Sequence, residues 1–290
     1  MSLASLAQTH PRVIDWGIRL DRAPAAGWLS LQAGALSPHW IWMARRMHDG
    51  SDDPLGLLAL AALAVLVWRF RSELRPAPRL GWLAIATFGT LCAALLRTGA
   101  GPLPSLPALA AALLAVLALA CGLLAFLPRR VAALPMLAML ALPWLSSLQF
   151  YAGYPLRVIT AEASRWLLMT GFNVAREGSS LLVDGQLVIV DAPCSGVQMA
   201  WFGYFTACVV ALWSERDGRS FLARLPAVGL LVLGGNIARN SVLVALEAAA
   251  HAPPGWLHDG FGLAVLAGVC AGIAWVMVAS AGGRRVDTAF

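Results

Sequence analysis

The sequence predicts an all-α membrane protein, a polytopic bundle of about seven to eight transmembrane helices with a small extracytoplasmic hairpin. Its 290 residues are 59% hydrophobic and only 12% charged, and the mean hydropathy is +0.73. Soluble domains carry about 25% charged residues, so this composition excludes an ordinary soluble fold. The apolar residues also form long runs, and arginines lie between those runs.

Each apolar run of about 17 to 25 residues is long enough to cross a bilayer as a helix. Such runs occupy residues 54–70, 80–96, 105–127, 131–149, 195–213, 225–247 and 261–280. We expect residues 54–280 to form the transmembrane domain and residues 281–290 a cytoplasmic tail. Residues 1–53 lack the pattern of a signal peptide and are expected to form an outward or amphipathic segment.

Arginines predict the orientation, since the chain contains no lysine and basic loops stay in the cytoplasm. Four clusters fall on one side of the predicted bundle: Arg69, Arg71, Arg75 and Arg79; Arg129 and Arg130; Arg216, Arg219 and Arg224; Arg284 and Arg285. The segments 97–104, 150–194 and 248–260 therefore face outward. The arginines are dispersed in short clusters, so a nucleic-acid-binding face is not expected.

The long outer segment 150–193 has two parts. Apolar residues recur at helical spacing after Pro155, which predicts an amphipathic helix lying on the membrane surface. Two β-prone runs then flank Asp184 and Gly185, a pair typical of a hairpin turn. The hairpin leads directly to Cys194.

Cys194 is the one cysteine of five that stands beside polar residues, in "DAPCSG" at the start of the fifth predicted span. Unsatisfied N–H groups at a helix N-terminus favour a thiolate, and the small Ser195 leaves the sulfur accessible. Asp191 either caps this helix or orients another site residue. A cysteine in a membrane helix is also commonly just a small apolar residue.

Arg239 lies within an otherwise apolar span, where a guanidinium is costly and usually functional. Its distance from Arg224 along a helix is about 22 Å, which places it near the outer surface. Asn236, one turn earlier on the same face, is positioned to hold it. A structural ion pair with Glu247 and snorkelling of the guanidinium to the outer interface are the alternatives.

His258 precedes the seventh predicted span, at the same outer level. A neutral imidazole there accepts protons near neutral pH. An interfacial histidine without catalytic function is the alternative, and His251 is a rival for the role. A thiol, a guanidinium and an imidazole at one depth together indicate acyl transfer through a thioester, chemistry that requires no cofactor and no metal.

These residues resemble the pattern of the exosortase/archaeosortase family, which are multi-spanning, cysteine transpeptidase-like enzymes. The matching motifs are "APCSG" with Cys194, "NIAR" with Asn236 and Arg239, and "LHDGFG" with His258. An earlier segment, "MHDGSDDPLGLLALAALAVLVWRFR", also resembles the family's early turn and span. The resemblance implies Cys194 as the nucleophile, His258 as the base, and Arg239 as the group that stabilises the oxyanion or positions the substrate.

The resemblance also implies the partners and the location. Substrates would be secreted proteins that end in a short motif of the Pro-Glu-Pro type (PEP-CTERM-like), a spanning helix and a basic tail. The enzyme would lie in the bacterial inner membrane with its site facing the periplasm. A non-catalytic transporter, in which Arg239 binds an anion, and a scaffold for exopolysaccharide assembly remain alternatives.

Overall fold

A computed structural model describes residues 25–50, 52–99, 105–128, 132–189, 195–250 and 254–279. The chain divides into two compact units. The first comprises residues 1–48 and 60–130, and the second comprises residues 49–59 and 131–290. The candidate site belongs to the second unit.

The first unit is an assembly of apolar helices, namely α1 (Ala25–Ala35), α2 (Ser37–His48), most of α3 (Gly56–Arg69), α4 (Leu80–Thr98) and α5 (Ala108–Phe126). Gly89 of α4 allows close packing on α5, because an added Cβ there would lie 3.1 Å from the Ala118 Cβ. Gln32 of α1 donates hydrogen bonds to Thr90 Oγ1 on α4, at 3.1 Å, and to the Ala118 carbonyl on α5, at 2.8 Å. One half-buried amide therefore links three helices.

The second unit contains the remaining helices and a small sheet. They are α6 (Ala133–Leu140), α7 (Leu145–Leu168), β1 (Val174–Glu177), β2 (Ser180–Val183), β3 (Gln186–Ile189), α8 (Val197–Trp213), α9 (Gly218–Leu222), α10 (Leu225–Ala250) and α11 (Gly255–Val278). Helix α8 packs against α10 and α11, and α10 packs against α7. The site residues lie where these helices meet.

The predicted span over 131–149 is not one continuous helix. It consists of α6 and the first turn of α7, and the two helix axes differ by 96°. Pro143 lies in the break; a proline lacks an N–H and disfavours helical geometry in the residue before it. Asp52 then stabilises the new helix, since its Oδ1 accepts from the Ser146 N–H at 3.1 Å. Helix α7 consequently begins ten residues before the predicted amphipathic helix.

The hairpin predicted around Asp184 and Gly185 is present as β2 and β3, and β1 extends it to a three-stranded antiparallel sheet. Both turn residues have positive φ, 48° and 87°, as a tight hairpin turn requires. The inner face packs its valines and Leu181 against Ala161 and Leu168 of α7 and against Val244 of α10. The sheet is thereby anchored to the helices that carry the site.

Within the described residues, four helical segments are long and apolar enough to cross a membrane: Leu80–Thr98, Ala108–Phe126, Gly218–Ala249 and Gly255–Val278. The bent pair of α6 and α7 makes five if it is counted as one span. Helices α3 and α8 are apolar but shorter, at 14 and 17 residues. The fold class is confirmed as a helical membrane protein, whereas the predicted number of seven to eight spans is not confirmed.

Candidate functional site

The described residues include most of the predicted site. Ser195, Asn236, Arg239 and His258 are described, on or beside α8, α10 and α11. The candidate nucleophile Cys194 and the candidate helper Asp191 lie outside the described residues. The structure therefore describes the groups that follow Cys194 in the chain and those on the neighbouring helices.

The turn that enters α8 is fixed by two side chains from other helices. Ser195 is buried, and its hydroxyl donates to Gln149 Oε1 of α7 at 2.8 Å. Gly196 has a φ of 82°, and an added Cβ would lie 2.8 Å from Asn236 Nδ2 on α10. Only glycine fits this left-handed, crowded position without strain. Gly196 of the "APCSG" motif therefore packs directly against Asn236 of the "NIAR" motif.

Asn236 and Asn240 hold α10 against α7 by two parallel hydrogen bonds. Asn236 Nδ2 donates to Thr160 Oγ1 at 3.1 Å, and one turn later Asn240 Nδ2 donates to Ser164 Oγ at 2.9 Å. All four side chains are buried. Because residues three or four apart share a helix face, this pair of bonds fixes the rotation of α10 and, with it, the direction of Arg239.

Arg239 lies against the first part of α11. Its side chain is half-buried and covers Gly262, where an added Cβ would lie 3.1 Å from Arg239 Nε and 3.3 Å from Nη2. At the other end of this antiparallel pair, Arg224 donates to the Val276 carbonyl. His258 precedes Gly262 by one turn, about 6 Å along the axis, on the same face of α11. Arg239 and His258 therefore occupy neighbouring turns of two packed helices.

A cavity of about 370 Å³ opens beside Arg239. It lies between α8, α10 and α11, and its lining residues are Gln198, Met199, Phe202, Arg239, Asp259, Gly262, Leu263 and Leu266. One wall carries a cation, another carries a carboxylate, and the remainder is mainly apolar. This combination of apolar walls and few polar groups is typical of ligand sites.

A second cavity, of about 500 Å³, was not anticipated from the sequence. It lies next to the first, since both are lined by Gln198. Its other lining residues are Gly50, Asp52, Asp53, Leu145, Ser146, Gln149, Phe150 and Arg157. The acidic turn "HDGSDDP" was visible in the sequence, but nothing in it indicated that these carboxylates approach the first turn of α8.

Within the described ranges, no group of three or more His, Cys, Asp or Glu side chains is arranged to hold a metal ion. The polar side chains that line the two cavities carry amide, guanidinium, carboxylate and hydroxyl groups, all of which form hydrogen bonds.

Comparison with known families identifies the chain. A family model described as transmembrane exosortase matches residues 42–276. The chain belongs to the transmembrane exosortase family. Neither the curated proteins nor the solved structures gave a match. The predicted resemblance is thereby confirmed, and exosortase membership makes the chain a multi-pass membrane protein of a cysteine transpeptidase-like, protein-sorting class.

Proposed function

We propose that this exosortase is a cysteine peptidase-transpeptidase that cleaves the C-terminal sorting signals of secreted proteins through a thioester. One observation carries the proposal: Gly196, two residues after Cys194, packs on Asn236, one turn from Arg239. Arg239 in turn lies on Gly262, one turn from His258. The start of α8, which follows Cys194, contacts the helix that carries Arg239, and that helix contacts the one that carries His258.

Cys194 is the proposed nucleophile. It is joined by a peptide bond to Ser195, which Gln149 holds in place. Helices α8 and α10 are antiparallel, with Gly203 against Val232 and Gly196 against Asn236, so the described part of the cysteine motif lies against α10 one turn before Arg239. A thiolate directly before α8 would benefit from the N–H groups of the first turn of that helix.

In the proposed reaction, His258 takes the thiol proton and the sulfur bonds to the carbonyl carbon of the scissile amide. Arg239 stabilises the negative charge that develops on the carbonyl oxygen or orients the peptide. When the intermediate collapses, the C–N bond breaks and the leaving amine takes the proton from His258. The thioester is then resolved by an acceptor amine or by water, which returns its proton through His258 and releases the thiolate.

The proposed substrates are secreted proteins with a short C-terminal motif, a spanning helix and a basic tail, as PEP-CTERM-like signals have. A substrate anchored by its own helix presents its outer juxtamembrane bond at a fixed depth. Confinement to the same bilayer raises the effective concentration of that bond near the enzyme. The proposed location is accordingly the bacterial inner membrane, with the site facing the periplasm.

The test is processing of a sorting reporter in cells that express the full chain. The reporter is a secreted domain followed by the C-terminal tail of a secreted protein encoded beside this chain. We expect Cys194→Ser to reduce the processed fraction at least about 1000-fold, as loss of a nucleophile does, with uncleaved precursor accumulating on a gel.

Cys208→Ser is the matched control, because Cys208 is a buried thiol of α8. It should process the reporter like the parent chain. If Cys194→Ser still processes the reporter while the precursor reaches the membrane, the cysteine peptidase assignment is wrong. Capture of a mass-shifted Cys194 peptide bearing the secreted domain would directly demonstrate the thioester.

A further inference from the structure

The side chain of Gln198 forms the boundary between the two cavities. Gln198 lies in the first turn of α8 with an exposed side chain. It lines the cavity that contains Arg239 and Asp259, and also the cavity that contains Asp53 and Arg157. A chain segment that occupied both cavities would therefore have to pass over this amide.

Asp53 fixes the orientation of that amide. Gln198 Nε2 donates to Asp53 Oδ2 at 3.0 Å. A carboxylate only accepts hydrogen bonds, so the nitrogen must face Asp53 and the amide oxygen must point the other way. One N–H and the carbonyl oxygen of Gln198 are then presented to the cleft in a fixed direction.

The main chain of Asp53 is linked to the start of α7 through the side chain of Asp52. The Asp53 N–H donates to Asp52 Oδ1 at 3.0 Å, and the same oxygen accepts from the Ser146 N–H at 3.1 Å. The turn before α3 is thus tied to a helix end. The main chain of Asp53 is therefore fixed, and its carboxylate orients Gln198. An exposed glutamine would be solvated by water without such a partner.

We propose that Gln198 binds the main chain of the peptide substrate and that Asp53 is the positioning residue that orients it. This inference rests on the proposed function. An extended peptide has N–H and C=O groups in its main chain, and the free oxygen and N–H of one oriented amide match both. The substrate would span both cavities. Residues before the bound main-chain group would lie in one cavity, and residues after it would lie in the other.

A structural role for the Asp53–Gln198 bond is the competing explanation. The bond is exposed, and an exposed hydrogen bond contributes little net free energy to folding. Its loss should therefore leave the folded state almost unchanged. A substrate-binding role predicts instead that Cys194 is alkylated more slowly, and only by reagents that carry a peptide main chain.

The experiment compares two thiol reagents on the purified full-length protein. Acetyl-trialanyl chloromethyl ketone carries a peptide main chain, whereas iodoacetamide does not; in each case the Cys194 sulfur displaces a halide. Alkylation rates at Cys194 are measured by mass spectrometry of proteolytic peptides. We expect Gln198→Met to slow the peptidyl reagent about fivefold to tenfold, as loss of one hydrogen bond predicts, without slowing iodoacetamide.

Two further variants isolate the positioning role. Asp53→Ala should resemble Gln198→Met, whereas Asp53→Asn, which retains an acceptor oxygen, should restore most of the peptidyl rate. Gln186→Met, in β3 and outside the linings of both cavities, is the matched control and should react like the parent chain.

The possible outcomes separate this inference from the proposed function. Equal slowing of both reagents by Gln198→Met, or no slowing of either, would overturn the role of Gln198 while leaving Cys194 reactive. A Cys194 that reacts no faster than Cys208 with either reagent would overturn the proposed function, and the role of Gln198 with it. Circular dichroism of each variant confirms that the helices are intact.

Discussion

At the scale of single residues, two glycines decide how closely the site helices approach each other. Gly196 combines a left-handed φ with contact on the Asn236 amide. Gly262 allows the Arg239 guanidinium to lie directly on the α11 backbone. Because neither glycine has a side chain, each leaves room for one polar group of the "NIAR" motif. The distances between the site helices therefore depend on residues that carry no functional group.

Gly196→Ala should impair both folding and activity. A non-glycine residue in the left-handed region costs about 1–2 kcal/mol, and its Cβ would collide with Asn236. We expect the free energy of unfolding in detergent to fall by at least about 1 kcal/mol and reporter processing to fall at least tenfold. Gly234→Ala is the control, since the Gly234 position is helical with open space around it. Wild-type processing by Gly196→Ala would contradict the proposed coupling of the turn to α10.

Gly262→Ala should separate activity from stability. Alanine is the better helix former by about 1 kcal/mol, so the protein should be at least as stable. The new Cβ would nevertheless lie 3.1 Å from Arg239 Nε and displace the guanidinium by a few tenths of an ångström. We expect processing to fall roughly tenfold, because small misplacements of a positioning group are costly.

Gly268→Ala provides the comparison for this variant on the same helix, as Gly268 has no neighbour within contact distance. Processing rates and thermal unfolding of the two variants are measured side by side. Equal processing by both would show that Arg239 tolerates displacement and has no positioning role.

At the scale of elements, the hydropathy pattern predicted those helices that cross as single runs. Helices α4, α5, α10 and α11 correspond to predicted spans, and the Asp184–Gly185 pair correctly located a hairpin. The pattern missed the break at Pro143, because apolar residues continue on both sides of it. The second helix that starts there is capped by Asp52, and a partner so distant in sequence gives no signal in a hydropathy pattern.

The site was predictable only in part, for a related reason. Arg239 and His258 stand out because a charge or an imidazole in an apolar run requires an explanation. Gln198 and Gln149 do not, because an amide gives no signal until its partner is known. Their partners Asp53 and Ser195 are 145 and 46 residues away in the chain, so only the fold reveals them.

The two side chains of the Asn240–Ser164 hydrogen bond, which joins α10 to α7, should couple energetically. Asn240→Ala and Ser164→Ala each remove one partner of a buried pair. In a double-mutant cycle we expect a coupling energy of about 0.6 kcal/mol, and no more than about 1.7 kcal/mol, the range found between membrane helices. Thermal or denaturant unfolding in detergent measures it.

The control cycle for this coupling pairs Asn240→Ala with Thr87→Ala. Thr87 donates to a carbonyl of its own helix, Leu83, so these two changes should be additive. A coupling energy of zero for Asn240 and Ser164 would mean that this hydrogen bond does not fix the rotation of α10.

At the scale of the whole molecule, function depends on which side of the membrane the site faces. Arg224 directly precedes α10 and lies beside the end of α11, and the Arg239–Gly262 contact lies fifteen residues further along α10. That separation is about 22 Å along a helix, within a hydrocarbon core about 30 Å thick. If the basic loop at Arg216–Arg224 is cytoplasmic, the site lies near the outer surface, where a secreted substrate still attached to its membrane helix is accessible.

Cysteine accessibility tests this orientation. In a chain whose five native cysteines are replaced, Thr170→Cys introduces a thiol after α7 and Ser214→Cys introduces one after α8; both positions are exposed. A membrane-impermeant maleimide should label the Thr170→Cys variant in intact spheroplasts. It should label the Ser214→Cys variant only after the membrane is permeabilised, because Ser214 adjoins the basic loop.

The cysteine-free chain provides the background, and retained membrane insertion shows that neither change alters targeting. Labelling of the Ser214→Cys variant from outside, with protection of the Thr170→Cys variant, would reverse the orientation. The positive-inside argument would then be wrong, and Arg239 and His258 would face the cytoplasm. A secreted protein could not reach them there after export, so its sorting signal would have to be cleaved before translocation, which is incompatible with the proposed substrate class.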